Sequence, residues 1–233
     1  MRARTTSGGH RRIPVAEVRK RLVTLRSAAE RQRLTAWLDG LLSGESSEVS
    51  RLLRLARERG GGWASVADEV AQVVVELGEL WQAGDCSVFE EHMATEALRR
   101  ATAACASEIP LHRPVRRALL TTAPGQRHTL GLSLAELVLA ENGWRSIWIG
   151  EGPPVEEIPA MVAGLAPELC IVAGSFDASP QALRALQRIL VRAVSGCGGI
   201  LVLAGQGRWS PMKSGYRCRT FLELDDALAE LAP

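Results

Sequence analysis

Four short apolar runs constrain the second half of the chain: Arg117–Thr122, Ser146–Ile149, Leu169–Ala173 and Gly199–Ala204. Each is rich in Val, Ile or Leu, and helical stretches at Ser133–Asn142, Val155–Leu165 and Pro180–Ser195 separate them. Strands alternating with helices in this way predict a parallel sheet covered on both faces. Such sheets bind ligands over the carboxyl ends of their strands. The loops carrying His128, Ser175 and Gly205 all fall at those ends. Thr220–Leu224 reads as a last strand and Asp225–Leu231 as a closing helix.

Before Ile109 the period changes. Val15, Val18, Leu22 and Leu25 recur at helical spacing, as do Leu34, Trp37, Leu38, Leu41 and Leu42. Two further helices are marked by Val49, Leu52, Leu53 and Leu55, and by Val66, Val70, Val73, Val74, Leu77, Leu80 and Trp81. Gly44, the Gly60–Gly62 run and Ala83-Gly84-Asp85 stop these segments. Ser87 opens another helix that runs to about Ser107, with Glu90 completing a capping box. Amphipathic helices with short loops over ~90 residues predict a small antiparallel bundle. The prolines of Ile109–Pro114 mark a linker, which divides the chain into a basic tail (1–14), a helical bundle (15–109) and an α/β domain (114–233).

Length and charge narrow the function classes. The 233 residues suffice for one large or two modest domains. With 28 basic against 26 acidic residues, the balance argues against broad binding to nucleic acid or membrane surfaces. No apolar run approaches the ~20 residues of a membrane span, and none follows the basic N-terminus as a secretory signal would. Cys86, Cys105, Cys170, Cys197 and Cys218 are odd in number and lack paired metal-site spacing. They read as reduced thiols of a cytoplasmic protein. Each of the six tryptophans starts as a core residue.

The loop Pro124–Gly131, PGQRHTLG, is followed by SIWIGEG, CIVAGSFD and GGILVLAGQG. In that order His128, Ser175 and Gly205 resemble the signature of the cobalamin-binding domain, Asp-x-His-x-x-Gly, then Ser, then Gly-Gly. The resemblance implies a flavodoxin-like (Rossmann-like) parallel-sheet domain with Gln126, Arg127, His128, Thr129 and Gly131 at the cofactor. It implies His128 as the lower axial ligand of cobalt, with the cofactor's own base displaced into a tunnel that Gly131, Ser175 and Gly205 leave open. Neutral imidazole is a good ligand for such a metal. Two positions depart from the family. Gln126 stands where an acid is usual, and Ala204-Gly205 replaces Gly-Gly. A carboxylate at 126 would accept the ring N–H and raise ligand basicity, whereas an amide orients the ring and supplies no charge.

A second motif lies in the helices: LWQAGDCSVFEEH, Leu80–His92. Taken alone it is a helix end, a turn and a helix start, with Trp81 in the core and Glu90-Glu91 favoured by the helix dipole. Ahead of a cobalamin domain, its Trp-x₉-Glu-His pattern resembles that of the CarH-type adenosylcobalamin photoreceptors, across roughly residues 30–230. In that family the bundle caps the upper face of the corrin. The resemblance implies that Trp81 packs against the adenosyl group, with Val88 beside it and Glu91 on the adenosine. His92 would take the cobalt site that light vacates, making His128 and His92 the two metal ligands. Such a switch needs a bistable bundle and no catalytic acid or base, which implies a sensory protein rather than an enzyme. Cys86 could compete for cobalt as a thiolate, but a small packed side chain is the expected role.

The expected function is a light-responsive regulator acting through homo-oligomerisation, as a dimer or tetramer, or through a partner protein. Arg4–Ile13, RTTSGGHRRI, resembles the wing of a MerR- or excisionase-type winged helix-turn-helix. A wing alone cannot place a recognition helix, so the tail implies at most weak DNA contact. Head-less receptors of this kind, the photocobilins, also bind a bilin such as biliverdin, which becomes a further expected cofactor. Three rivals stand beside this reading. One is a corrinoid methyl carrier for a methyltransferase, the next a transcription regulator whose start lies upstream, and the last a flavodoxin-like domain in which His128 is incidental. His10 and His112 read as solvated.

Overall fold

The computed structural model describes residues 4–5, 11–12, 27–111 and 115–231. The chain divides into two units: Met1–Gly60 with Glu69–Cys105, and Gly61–Asp68 with Ala106–Pro233. In the first, β1 (Arg4–Thr5) and β2 (Arg11–Arg12) pair antiparallel, Arg4 opposite Arg12 and Thr5 opposite Arg11. The helix expected over Pro14–Leu25 lies outside the described residues, as do His10 and His112.

Four helices follow: α1 (Ala28–Leu42), α2 (Ser46–Glu58), α3 (Gly62–Gln82) and α4 (Val88–Ser107). Ser27 starts α1 with a capping box, its hydroxyl accepting the Glu30 N–H at 3.2 Å while the Glu30 carboxylate accepts the Ser27 N–H at 2.8 Å. The helical stripes then bury Leu34, Trp37, Leu38 and Leu41 of α1 together with Val49 and Leu53 of α2. The α1–α2 contact is close at Gly40, where a Cβ would collide with Leu52. On α4 the buried stripe is made of small residues, Ala94, Ala97, Ala101 and Cys105, with Leu98. The indole N–H of Trp37 donates to Glu69 at 2.7 Å, and the same carboxylate receives Arg59 at 2.8 Å.

The second unit holds β3 (Arg116–Pro124), β4 (Trp144–Gly152), β5 (Leu169–Ala173), β6 (Ile200–Ala204) and β7 (Tyr216–Cys218). All pair in parallel in the order β4-β3-β5-β6-β7. This is the flavodoxin-like order, whose reversal falls between β3 and β5. The helices are α5 (Leu130–Glu141), α6 (Ile158–Leu165), α7 (Pro180–Gly196) and α8 (Phe221–Glu230). One sheet face, with Leu119, Cys170, Val172, Leu201 and Leu203, packs against Ile158 and Val162 of α6 and Leu183, Leu186, Leu190 and Val194 of α7. Alternation sends Leu120, Ile171 and Val202 to the opposite face, where they are fully buried. The connection from β6 to β7 (205–215) contains no helix, and Trp209 from it joins the first of these clusters.

The sequence expectation fails at Thr220–Leu224. That segment is the start of α8, and the last strand is Tyr216–Cys218. Thr220 accepts the Glu223 N–H at 3.1 Å and the Glu223 carboxylate returns to the Thr220 N–H at 3.4 Å. Asp68 adds two further acceptors for the Phe221 and Leu222 N–H groups, at 2.8 and 3.1 Å. Four otherwise orphaned amide donors are what a helix start must satisfy, and this segment is equipped to do it. No helix among the described residues is long and apolar enough to cross a membrane.

Candidate functional site

The side chains expected at the site fall into two sets, one in each unit. In the α/β unit, β3 ends at Thr122 and Pro124 and the chain turns into Gly125–Thr129 before α5 begins. The Thr122 hydroxyl ties down this loop by donating to the Gln126 carbonyl at 2.7 Å while accepting the Gly152 N–H at 2.9 Å. The Gln126 N–H donates to the Ala123 carbonyl at 3.0 Å. With its root fixed, the loop leaves Arg127 and His128 exposed. Thr129 is the N-cap of α5 and makes no side-chain cap bond. Gly131 lies in the first turn, and the direction a Cβ would take there is open, with nothing within 4 Å.

Gln126 is the telling neighbour. Its side-chain oxygen Oε1 is buried and has no hydrogen-bond partner. A buried acceptor of that kind costs free energy until a donor reaches it. It belongs to the residue two positions before the exposed His128.

The register Thr122↔Ala173 sets the ends of β3 and β5 side by side, so their loops emerge together where the strand order reverses. The β5 loop presents Ser175, Phe176 and Asp177. Phe176 is 76% exposed. The Ser175 hydroxyl donates to the Asp177 carboxylate. That bond lowers the Asp177 carboxyl below its ordinary value, helped by its own backbone N–H and by the charge of His128. Gly205, at φ +81°, follows β6, and its N–H donates to the Cys218 carbonyl at 3.0 Å. A Cβ on Gly205 would lie 2.7 Å from the Gly174 carbonyl, so the residue lets the β5 and β6 loops close on each other. The structure thus gathers Gln126, Arg127, His128, Thr129, Gly131, Ser175 and Gly205 along one end of the sheet.

In the bundle, Gly84 at φ +76° ends α3 after Trp81, and the Asp85 and Cys86 N–H groups both reach the Leu80 carbonyl, at 2.8 and 3.1 Å. Ser87 then starts α4 with the expected box: its hydroxyl accepts the Glu90 N–H at 3.2 Å and its N–H donates to Glu90 at 2.8 Å. Val88, Glu91 and His92 follow at spacings that place them on one face of α4. Glu91 accepts the Thr95 hydroxyl at 2.8 Å, and His92 Nε2 stands 3.6 Å from its other oxygen.

The apolar members of this motif are not in the core. Trp81 is 46% exposed, Val88 54% and Phe89 72%, whereas Trp37, Trp63, Trp144 and Trp209 are buried. Trp148 is also partly exposed, its indole N–H donating to Glu136 at 2.8 Å. The core expectation therefore holds for four tryptophans and fails for Trp81 and Trp148. Three exposed apolar side chains thus flank one interhelical turn. Cys86, in the same turn, is buried, and burial with the Glu90 and Glu91 charges pushes its thiol up to about 11. It stays a thiol near neutral pH and offers no thiolate ligand.

Residues 34–106 match the family described as the B12 binding domain. The B12 binding domain match thus contains Trp81, Val88, Glu91 and His92. The HTH-type transcriptional repressor CarH of Myxococcus xanthus is 31% identical over 102 residues, 43% of this chain and 34% of that protein. The alignment spans about a third of that relative's length. The monomethylamine corrinoid protein of Methanosarcina barkeri superposes with a TM-score of 0.62 at 16% identity, covering 84% of this chain and 96% of that one. That likeness shows a shared fold.

The donor set suits a metal already held in a macrocycle. Among the described residues no group of three or more His, Cys, Asp or Glu could enclose a bare ion. A corrin-held cobalt needs only a side-chain ligand, and the exposed His128, with the buried orphan acceptor of Gln126 two positions before it, fits that need. Phe89 and Phe176 are exposed aromatics that spacing alone does not reveal, because exposure leaves no mark in a helical or strand period.

Proposed function

We propose that this chain is a light-responsive cobalamin-binding regulator rather than an enzyme, with adenosylcobalamin as its dark-state cofactor. The observation that carries the reading is the exposed Trp81, Val88 and His92, with the half-buried Glu91, within the segment matched as a B12 binding domain. Bound adenosylcobalamin supplies a cobalt–carbon bond that light breaks. His128 would hold the cobalt through its imidazole, and the partnerless Gln126 side-chain oxygen two positions before it would accept the other ring N–H. Gly131 leaves space beside that loop. Trp81 and Val88 give apolar surface that excludes water from the adenosyl side, and Glu91 offers carboxylate oxygens to nucleoside hydroxyls. His92, loosely held by Glu91, is free to turn. Output passes through altered self-association or a partner protein.

A second reading, a corrinoid methyl carrier for a methyltransferase, draws on the fold shared with the Methanosarcina barkeri monomethylamine corrinoid protein. One absorption series separates the two. The purified protein is incubated with adenosylcobalamin in the dark, freed of excess cofactor, and its spectrum recorded before and after green light. Retained cofactor with a light-driven shift that His92→Ala abolishes supports the photoreceptor. Retained cofactor that gives an ordinary aquo product, together with preference for methylcobalamin, supports the carrier. No retained cofactor overturns both. In protein produced with a bilin supply, a band beyond the corrin region would establish the bilin as an additional chromophore.

A further inference from the structure

The near-neutral total charge conceals a segregation along the chain. Residues 178–222 carry seven basic residues and no Asp, Glu or His, whereas the rest of the chain has five more acidic than basic residues. Asymmetry of this kind, unlike the overall balance, is the footprint of a polyanionic partner. We propose that the outer face of α7, with the 205–215 loop clamped beside it, is a docking surface for the phosphate backbone of duplex DNA.

The fold gathers these charges. α7 buries Leu183, Leu186, Leu190 and Val194 against the sheet. Arg184, Arg188 and Arg192 are left exposed at i, i+4 and i+8, on one face of the helix. Four helical residues rise about 6 Å, so the three side chains leave a rigid element at regular intervals over about 12 Å. The 205–215 loop is fastened to the same helix. The Gln187 side chain donates to the Ser210 carbonyl at 3.1 Å and accepts the Ser210 N–H at 3.0 Å. From β7, Arg217 donates to the Trp209 and Gly207 carbonyls, both at 3.1 Å. The loop fixed in this way carries Arg208 and Lys213, both exposed. Among the described residues, Arg184, Arg188, Arg192, Arg208 and Lys213 make no hydrogen bond or ion pair. Five unpaired cations with no acid between them repel one another, and a bound anion relieves that repulsion.

The make-up of the face selects the anion. All the exposed large apolar side chains among the described residues lie outside residues 178–219. A protein interface has an apolar or aromatic centre, a membrane-surface helix has an apolar face, and single-stranded nucleic acid stacks its bases on aromatic rings. This face offers none of these. RNA is recognised through stacked bases and 2′-hydroxyl contacts. A DNA duplex backbone asks for charge and for planar forks of N–H donors, and four of the five cations are arginines.

The test follows binding of the full chain, without added cofactor, to a labelled mixed-sequence DNA duplex by fluorescence anisotropy from about 50 to about 200 mM salt. Wild type is expected to weaken by roughly 10²–10³-fold over that range, as about five neutralised phosphates require. Arg188→Gln/Arg192→Gln should bind at least about tenfold more weakly at the low-salt end and lose about two from the salt slope. Arg188→Lys/Arg192→Lys keeps the charge and therefore the slope. Arg33→Gln/Arg145→Gln removes two exposed arginines elsewhere and behaves as wild type. Circular dichroism checks that each variant folds, and Arg184→Gln/Arg208→Gln gives the same reading should the first pair disturb α7. No duplex binding by wild type, or wild-type affinity and slope in the glutamine pairs, would overturn the proposal. An equal loss in Arg33→Gln/Arg145→Gln would overturn it too, by reducing the effect to bulk charge. Tighter binding of duplex RNA or polyglutamate through the same arginines would assign the face to that partner and overturn the DNA assignment. None of these outcomes bears on the cobalamin reading, because the protein carries no added cofactor.

Discussion

Thr95 donates its hydroxyl to Glu91 Oε1 at 2.8 Å, one helical turn on, while His92 Nε2 stands 3.6 Å from the other carboxylate oxygen. The two neighbours are therefore held very differently. Glu91 is fixed by a good hydrogen bond, and His92 lies beyond hydrogen-bond range on an exposed position. A residue that contacts a bound nucleoside benefits from the first condition. One that must turn toward a newly opened site benefits from the second.

His92→Ala is accordingly expected to leave dark binding of adenosylcobalamin unchanged and to remove the light-driven spectral shift. Equilibrium dialysis in the dark and absorption after illumination check the two halves. Loss of dark binding would assign His92 to the dark-state site instead.

His128→Ala acts on the opposite side of the chemistry. Removing an outer partner of a metal-ligating histidine already costs ~10–100-fold in affinity, and removing the ligand itself is expected to cost at least as much. Because His128 is exposed and lies in a loop whose root is tied by Thr122, the fold is retained. Dark affinity equal to wild type, with an unchanged circular dichroism spectrum, would dismiss the lower-ligand role.

Much of this is legible in the sequence, and the exceptions have physical reasons. The α3–α4 turn could be read because Gly84 and the Ser87–Glu90 box each solve a local problem of helix termini within four residues. Thr220–Leu224 reads as a strand because T-F-L-E-L is a short, largely apolar run, but the capping box in the same letters makes it a helix start. Trp37 and Trp81 sit in equally periodic helices, yet one is buried and the other half-exposed. Periodicity gives a face and not what covers it.

Gly205→Ala should destabilise the α/β unit. The position combines φ +81° with a Cβ that would meet the Gly174 backbone at 2.7 Å. A left-handed conformation on a non-glycine residue costs ~1–3 kcal/mol, and here backbone on the other side cannot step aside as a flexible side chain would. The predicted result is a lower thermal midpoint and weaker cobalamin retention, read by calorimetry and dialysis. An unchanged midpoint would show that the two loops have room to separate.

Alkaline pH provides the last test, through the buried thiols. Burial pushes the Cys86 thiol up from 9.0 to about 11, with Glu90 and Glu91 adding to it, and Cys170 and Cys218 are pushed up to about 12. Between the unfolded and folded values the unfolded chain has released a proton that the folded chain retains. Each thiol therefore contributes stability that is fully present below about 9 and is lost as pH rises through its folded value. The urea midpoint should hold from neutrality to about pH 8.5 and then fall, most steeply above pH 9. Lysine and tyrosine also titrate in that range, so the wild-type curve alone does not isolate the cysteines. Cys86→Ala does. The smaller side chain lowers stability by an amount independent of pH, whereas loss of the titrating group flattens the decline between about pH 9 and 11. Parallel curves for wild type and Cys86→Ala across that window would mean the folded thiol titrates normally. Cys86 would then be available as a thiolate beside the motif after all.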